Sequence, residues 1–132
     1  MEECIFCKIA KGEIPSYKVY EDENFLAFLD INPLNPGHTL VIPKKHYRWV
    51  WDVDDAGELF EVAKKIANKI KKMSNTDLVV CGSVGKDVHH AHIHLIPRFD
   101  GDAHEGKWID IKSIKKLPKE EMEEIAEKIR EA

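Results

Sequence analysis

The sequence predicts an α+β domain in which an antiparallel sheet of about five strands carries one long helix, with a second helix near the carboxyl end. Three observations predict it. Apolar residues alternate with histidines over residues 88–98, the two-residue period of a strand with one face buried. Residues 17–22 and 25–30 form two strand-like runs around an Asp-Glu-Asn turn, the pattern of an antiparallel hairpin. Between residues 55 and 73, Leu59, Ala63, Ile66, Ala67, Ile70 and Met73 recur at three- and four-residue steps, which gives an amphipathic helix. A chain of 132 residues suits one domain, 1–132, in which 99–132 extends the part holding these signals.

Composition narrows the class. Lysine and arginine total 20 against 24 acids, a net charge of −4, and the lysines are interleaved with acids, so no nucleic-acid partner is expected. The lysines of the long helix (Lys64, Lys65, Lys69, Lys71 and Lys72) could form such a patch, but they read more simply as a solvated face. No apolar run approaches the roughly 20 residues that span a bilayer, and Met1-Glu2-Glu3-Cys4 is acidic where a secretory leader is basic, so the expected setting is cytoplasmic with no membrane partner. Three cysteines cannot all pair, which favours metal binding over disulfides.

Taken in order, Cys4 and Cys7 have the separation with which two thiolates grip one tetrahedral zinc ion, and reduced core thiols or a redox couple are the alternatives. Residues 8–15 read as a short helix stopped at Gly12 and a turn into extended chain. The hairpin ends at Asp30, whose carboxylate could cap the following turn or accept two hydrogen bonds from vicinal hydroxyls such as those of a ribose. Residues 35–38 are a turn, residues 39–43 a short apolar strand, and His38 stands at the strand entry. Trp49, Val50 and Trp51 read as packing residues near the entry to the long helix. Residues 78–81 have a buried-strand pattern, and residues 82–86 turn into the histidine strand.

Gly82-Ser83-Val84-Gly85-Lys86 superficially looks like a phosphate loop, but the glycines are too close, Asp87 stands where a hydroxyl residue should, and a strand follows rather than a helix. Its backbone amides could still face a phosphate. The tail is polar to Lys107, Trp108 to Ile111 reads as a short strand or extended arm, and Pro118 opens a helix with Met122, Ile125, Ala126 and Ile129 as its buried stripe.

The histidine strand carries the chemistry. His90, His92 and His94 share one face, yet the Cα atoms of the outer two are roughly 13 Å apart in an extended strand, awkward for ligating one ion together. The three rings are therefore expected to do different jobs. Neutral imidazole is abundant near pH 7 and is a competent nucleophile toward phosphorus.

The run His90-Ala91-His92-Ile93-His94-Leu95-Ile96 resembles the signature of the histidine triad (HIT) family, and residues 4–30 and 36–46 look like the corresponding parts of its zinc-carrying, Hint-like branch. The resemblance implies the HIT-like fold and a structural zinc ion on Cys4, Cys7, His46 and His90. It implies that His92 is the nucleophile and that His94 and His38 bond the phosphate oxygens or tune the histidine network, with His90 the remaining member of the catalytic histidine set. By the same resemblance Asp30 binds the ribose, followed by apolar Ile31, and Phe6 and Ile9 wall the purine pocket, though ordinary core packing is the other reading of that pair. Lys86 stands where the family carries glutamine and is taken as a nucleotide contact. With Asp87 and the short loop it departs from the family pattern and leaves substrate preference open.

The implied activity is hydrolysis or transfer at the α-phosphorus of a purine nucleoside phosphoramidate or related conjugate, through a nucleotidyl-histidine. An adenosine 5'-monophosphoramidase-like enzyme is the expected form, acting on a small-molecule purine nucleotide as a two-fold homodimer. Dinucleoside polyphosphate hydrolysis is the neighbouring alternative. A non-catalytic nucleotide sensor would keep Asp30 and the apolar pocket without forming an adduct on His92. A structural zinc protein would tolerate loss of His92.

Overall fold

The structure is a computed structural model and describes residues 4–132; the acidic segment 1–3 read above lies outside them. A six-residue helix α1 (Ile5–Ala10) leads into the hairpin β1 (Lys18–Glu21) and β2 (Phe25–Leu29), then β3 (Thr39–Pro43), the long helix α2 (Ala56–Ser74), β4 (Val79–Gly82), β5 (Ile93–Pro97) and the terminal helix α3 (Lys119–Glu131). The five strands form one antiparallel sheet in the order β1-β2-β3-β5-β4. The expected α+β architecture is the one observed.

Alternation divides the core. Ala27 and Leu29 of β2, Val41 of β3 and Ile93 and Leu95 of β5 face α2 and α3, whose stripes Leu59, Ala63, Ile66 and Ile70 and Met122, Ile125, Ala126 and Ile129 are buried against them. Leu26 and Phe28, with Leu40 and Ile42, face the other way and meet Phe6 and Ile9 of α1. Covered on both faces, β2 and β3 are buried at every position, as unbroken apolar runs require. The lysines of α2 are exposed or half-buried, Lys69 donating to the Arg130 carbonyl at 3.0 Å.

Several sequence expectations need correction. The first helix starts at Ile5, ahead of Lys8, because Cys4 caps it, its Sγ accepting from the Cys7 N–H at 3.3 Å. The histidine strand is shorter than residues 88–98. Pro43 brings no N–H to the ladder, its carbonyl accepts from the His90 ring, and the Ala91 N–H turns to the Tyr47 carbonyl, so pairing with β3 begins only at Ile93. Residues 78–81 are not a buried strand, since β4 lies at the sheet edge and Leu78 and Cys81 are exposed. Of Trp49, Val50 and Trp51 only Val50 packs in the core, and Trp51 is 87 % exposed. Of the two readings of residues 108–111 the strand is absent, since the segment is irregular with no strand pairing.

Candidate functional site

The site lies on the α1 face of the sheet, where His94 of β5 sits in register with Leu40 of β3 and Gly82 of β4. Five histidine rings, those of His38, His46, His90, His92 and His94, gather there, and the hydrogen bonds determine where the protons reside.

His92 Nδ1 lies 2.7 Å from the His90 carbonyl oxygen, which can only accept, so Nδ1 carries the proton and Nε2 keeps its lone pair. Burial lowers the pKa of His92 from its ordinary value and so favours the neutral ring, with that hydrogen bond and Asp30 opposing it. The edge of Phe6 meets the His92 ring at 5.2 Å and 89°, fixing its plane.

His38 is buried at the mouth of β3. Its Nδ1 accepts the Leu34 N–H at 3.1 Å, so the proton sits on Nε2 and is donated to Nδ1 of His94 at 2.9 Å. His94 therefore carries its own proton on Nε2. Burial, with His94 and His104 adding to it, pushes His38 down to about 3, and burial with His92 pushes His94 down to about 4, so both rings are neutral at pH 7. The His92 and His94 ring centroids are 5.0 Å apart, so a ring with a lone pair on Nε2 neighbours one with an N–H there. Such a juxtaposition suits attack on a centre bearing anionic oxygens.

Asp30 serves the turn first. Its Oδ1 accepts the Asn32 N–H at 2.9 Å, while Oδ2 lies 3.6 Å from Nε2 of His38. Burial raises its pKa, opposed by the Asn32 bond and by His92. Asp30, His38 and His94 bring ligand atoms within 4.8 Å of one another. They do not suit a metal, because a cation on Nε2 of His38 would have to displace its proton while Nδ1 is already committed to accepting.

Cys4, Cys7, His46 and His90 form the other cluster, again with every ligand atom within 4.8 Å of the rest. His90 donates from Nε2 to the Pro43 carbonyl at 2.8 Å, which turns the Nδ1 lone pair toward Sγ of Cys4 at 3.2 Å and Sγ of Cys7 at 3.4 Å. Nδ1 of His46 lies 3.3 Å from Cys7 Sγ. Zinc bonds of about 2.3 Å to sulfur and about 2.0 Å to nitrogen, set tetrahedrally, put S and N about 3.5 Å apart, so this donor set fits such an ion with little movement. Burial and the neighbouring Cys4 push the Cys7 thiol up to about 11, a cost that a bound cation would offset. His90 thus turns toward the thiols and His94 toward His38, so the three histidines of the run face different partners.

The remaining sequence candidates differ in burial. Phe6 and Ile9 are buried in the α1 cluster, and the Phe6 ring packs edge-on against those of His90 and His92. Ile31 is 71 % exposed beside Asp30, and Lys86 and Asp87 are exposed in the loop from β4. That loop is braced from outside, since Arg48 donates to the Gly85 carbonyl at 2.7 Å and stacks on Trp49 at 3.7 Å. Sequence reasoning missed this brace, and it also missed Asn35, Arg98, Asp102 and His104. Asp102 accepts from Arg98 Nε at 2.8 Å and Nη2 at 3.1 Å, from Asn35 Nδ2 at 3.0 Å, and from the Phe99 and His104 N–H groups at 2.9 Å each. Only the Arg-to-Asp spacing of four residues could have hinted at the pair.

A family profile for the HIT domain matches residues 11–101. An uncharacterized HIT-like protein of Methanocaldococcus jannaschii is 44% identical over 117 residues, 84% of this chain and 91% of that protein. An adenosine 5'-monophosphoramidase of Saccharomyces cerevisiae is 42% identical over 100 residues, 74% of this chain and 63% of that protein. Among solved structures, a zinc-bound histidine triad family protein of Mycobacterium smegmatis superposes with a TM-score of 0.83 at 31% identity, covering 98% of this chain and 92% of that one. With its family profile, its relatives and its fold in agreement, the chain belongs to the HIT domain family.

Proposed function

We propose that this protein is a nucleotidyl hydrolase that cleaves purine nucleoside phosphoramidates, or related nucleotide conjugates, at the α-phosphorus. The observation that carries the reading is the bond from His92 Nδ1 to the His90 carbonyl, which leaves a neutral, lone-pair-bearing Nε2 beside the N–H of His94. In the first step Nε2 of His92 bonds to phosphorus while the bond to the leaving amine breaks and the amine takes up a proton from solvent. Water then attacks phosphorus and yields a proton to solvent, replacing the one the amine took up, the P–N bond to His92 breaks, and the nucleoside monophosphate leaves as the ring regains its lone pair. His94, aligned by His38, donates to a non-bridging oxygen as charge builds there. Asp30 receives the ribose hydroxyls through Oδ2 while Oδ1 holds the turn, and Phe6, Ile9 and Ile31 bound the purine. Lys86 reaches toward the phosphate from the β4 loop.

Cys4, Cys7, His46 and His90 would hold zinc as a closed structural site that ties α1 to the chain entering β5, supplying rigidity rather than a reaction step. The similarity to a named adenosine 5'-monophosphoramidase supports the substrate class. We read residues 1–132 as a single domain with 99–132 as its extension, working as a homodimer; the open edge of β4 supports sheet-extending pairing. Three free cysteines suit a reducing, cytoplasmic setting.

The test is mass spectrometry of zinc-loaded protein quenched during turnover of adenosine 5'-phosphoramidate, native against His92→Ala. An adenylyl adduct mapped to His92 and absent from the variant is expected. Nucleotide binding without adduct or released monophosphate would overturn the enzyme reading and leave a sensor, whereas turnover only of a dinucleoside polyphosphate would move the substrate class.

A further inference from the structure

The histidine pair is held from a part of the chain outside the HIT match at 11–101. Residues 33–35, which precede His38, are gripped by the C-terminal extension at three successive positions. The Lys115 N–H donates to the Pro33 carbonyl at 2.7 Å, His104 Nε2 lies 2.8 Å from the Leu34 carbonyl, and Asp102 accepts from Asn35. His104 is fully buried and has no free ring atom, because its Nδ1 accepts the Asp110 N–H at 2.9 Å. That bond places the ring proton on Nε2 and directs it to the Leu34 carbonyl. The N–H of the same Leu34 is the donor to His38 Nδ1, and His38 passes the choice of tautomer to His94.

We propose that His104 is a positioning residue which, by anchoring Leu34 through its carbonyl, presents the Leu34 N–H to His38 and so selects the Nε2–H tautomers of both His38 and His94. A neutral imidazole free of this constraint divides between two tautomers, and in the wrong one His94 would turn a lone pair toward the substrate where an N–H is needed. The low pKa of His38, due to burial with His94 and His104 contributing, keeps the ring neutral, so tautomer choice is the variable left. His104 touches no reacting atom. Its effect passes through Leu34.

The kinetic part of the test rests on the proposed hydrolase reading, whereas the spectroscopic part does not. Zinc-loaded full chain labelled with 15N is compared as native, His104→Gln, which keeps an N–H for the Leu34 carbonyl, and His104→Phe, which keeps bulk without a donor. Long-range 1H–15N spectra should show His38 and His94 as single Nε2–H tautomers in the native chain and in His104→Gln, and mixed tautomers in His104→Phe. With adenosine 5'-phosphoramidate, kcat should fall on the order of 10- to 100-fold in His104→Phe with KM within about twofold, and His104→Gln should recover most of it. Unchanged tautomers in folded His104→Phe would overturn the proposal. Should that variant not fold, the native chain decides by itself, since no scalar coupling between the Leu34 amide nitrogen and His38 Nδ1 would equally overturn it. Native tautomers as described with no turnover at all would refute the hydrolase reading and leave the positioning role standing.

Discussion

Replacing Asp102 with alanine offers a direct test of how the C-terminal extension holds the site. The Arg98 and Asp102 side chains are 10% and 6% exposed, and their two-point contact is joined by Asn35 and two backbone N–H groups. Removing one partner of a buried ion pair costs about 3–5 kcal/mol, because the other charge stays behind in a poorly solvated place. Arg98 keeps two backbone carbonyl partners, those of Lys107 and Trp108, and Asn35 keeps the Pro97 carbonyl, which argues against adding full penalties for each lost bond. We therefore expect Asp102→Ala to lose about 4 kcal/mol, a large share of the roughly 5–15 kcal/mol typical of a domain. In Tm this is a drop of about 12–20 °C for a chain of this size.

The assay is urea unfolding of zinc-loaded protein followed by tryptophan fluorescence, with Arg98→Met and the double variant completing a cycle. The Arg98 guanidinium beside Asp102 holds its carboxyl well below the usual range, so this contribution is complete above about pH 4, the unfolded carboxyl pKa, and disappears as pH falls below it. A loss under about 1 kcal/mol, the size of an exposed pair, would refute the argument that this is a buried anchor.

Three further outcomes follow from the same geometry. His38, at about 3, and His94, at about 4, are depressed relative to an unfolded histidine near 6.5, so the unfolded chain binds more protons between those limits and stability falls as pH drops below about 6.5. Each contributes a slope of about 1.4 kcal/mol per pH unit, and His38→Gln should reduce the slope between pH 5 and 6 by about that amount when unfolding is followed against pH; an unchanged slope would show that the ring protonates freely in the fold. Cys7→Ser should abolish stoichiometric zinc by elemental analysis and lower Tm, while zinc binding to the native chain should release protons and weaken as pH falls; full zinc content in the variant would remove Cys7 from the ligand set. Gly85 has φ +68° and a Cβ there would stand 2.9 Å from the Trp49 ring, whereas Gly12, at φ +81°, has open space, so Gly85→Ala should cost about 1–3 kcal/mol more than Gly12→Ala in the same unfolding assay. Equal costs would mean that the Arg48–Trp49 brace yields.

Much of the molecule is written in local pattern. The hairpin, the strand entering at Thr39, the amphipathic stripe of α2 and the alternation through His94 follow from two-residue and 3.6-residue periods, and those periods decide which side chains share a face before any long-range contact forms. The Cys-x-x-Cys pair and the three spaced histidines announce their residue types in the same way. Tertiary structure decided what those residues do to one another. Where β5 begins depends on Pro43 and Tyr47, β4 is an edge because, among the described residues, no further strand pairs with its outer side, and Trp51 turns to solvent although its residue type suggests core. The proton on His94 is assigned by His38, 56 positions earlier, which is in turn oriented through Leu34 by His104 from the tail. Hydrogen-bond partners of that separation leave no periodicity, because a donor and acceptor need only meet in space, and two residues far apart in the chain meet wherever packing of the intervening elements brings them.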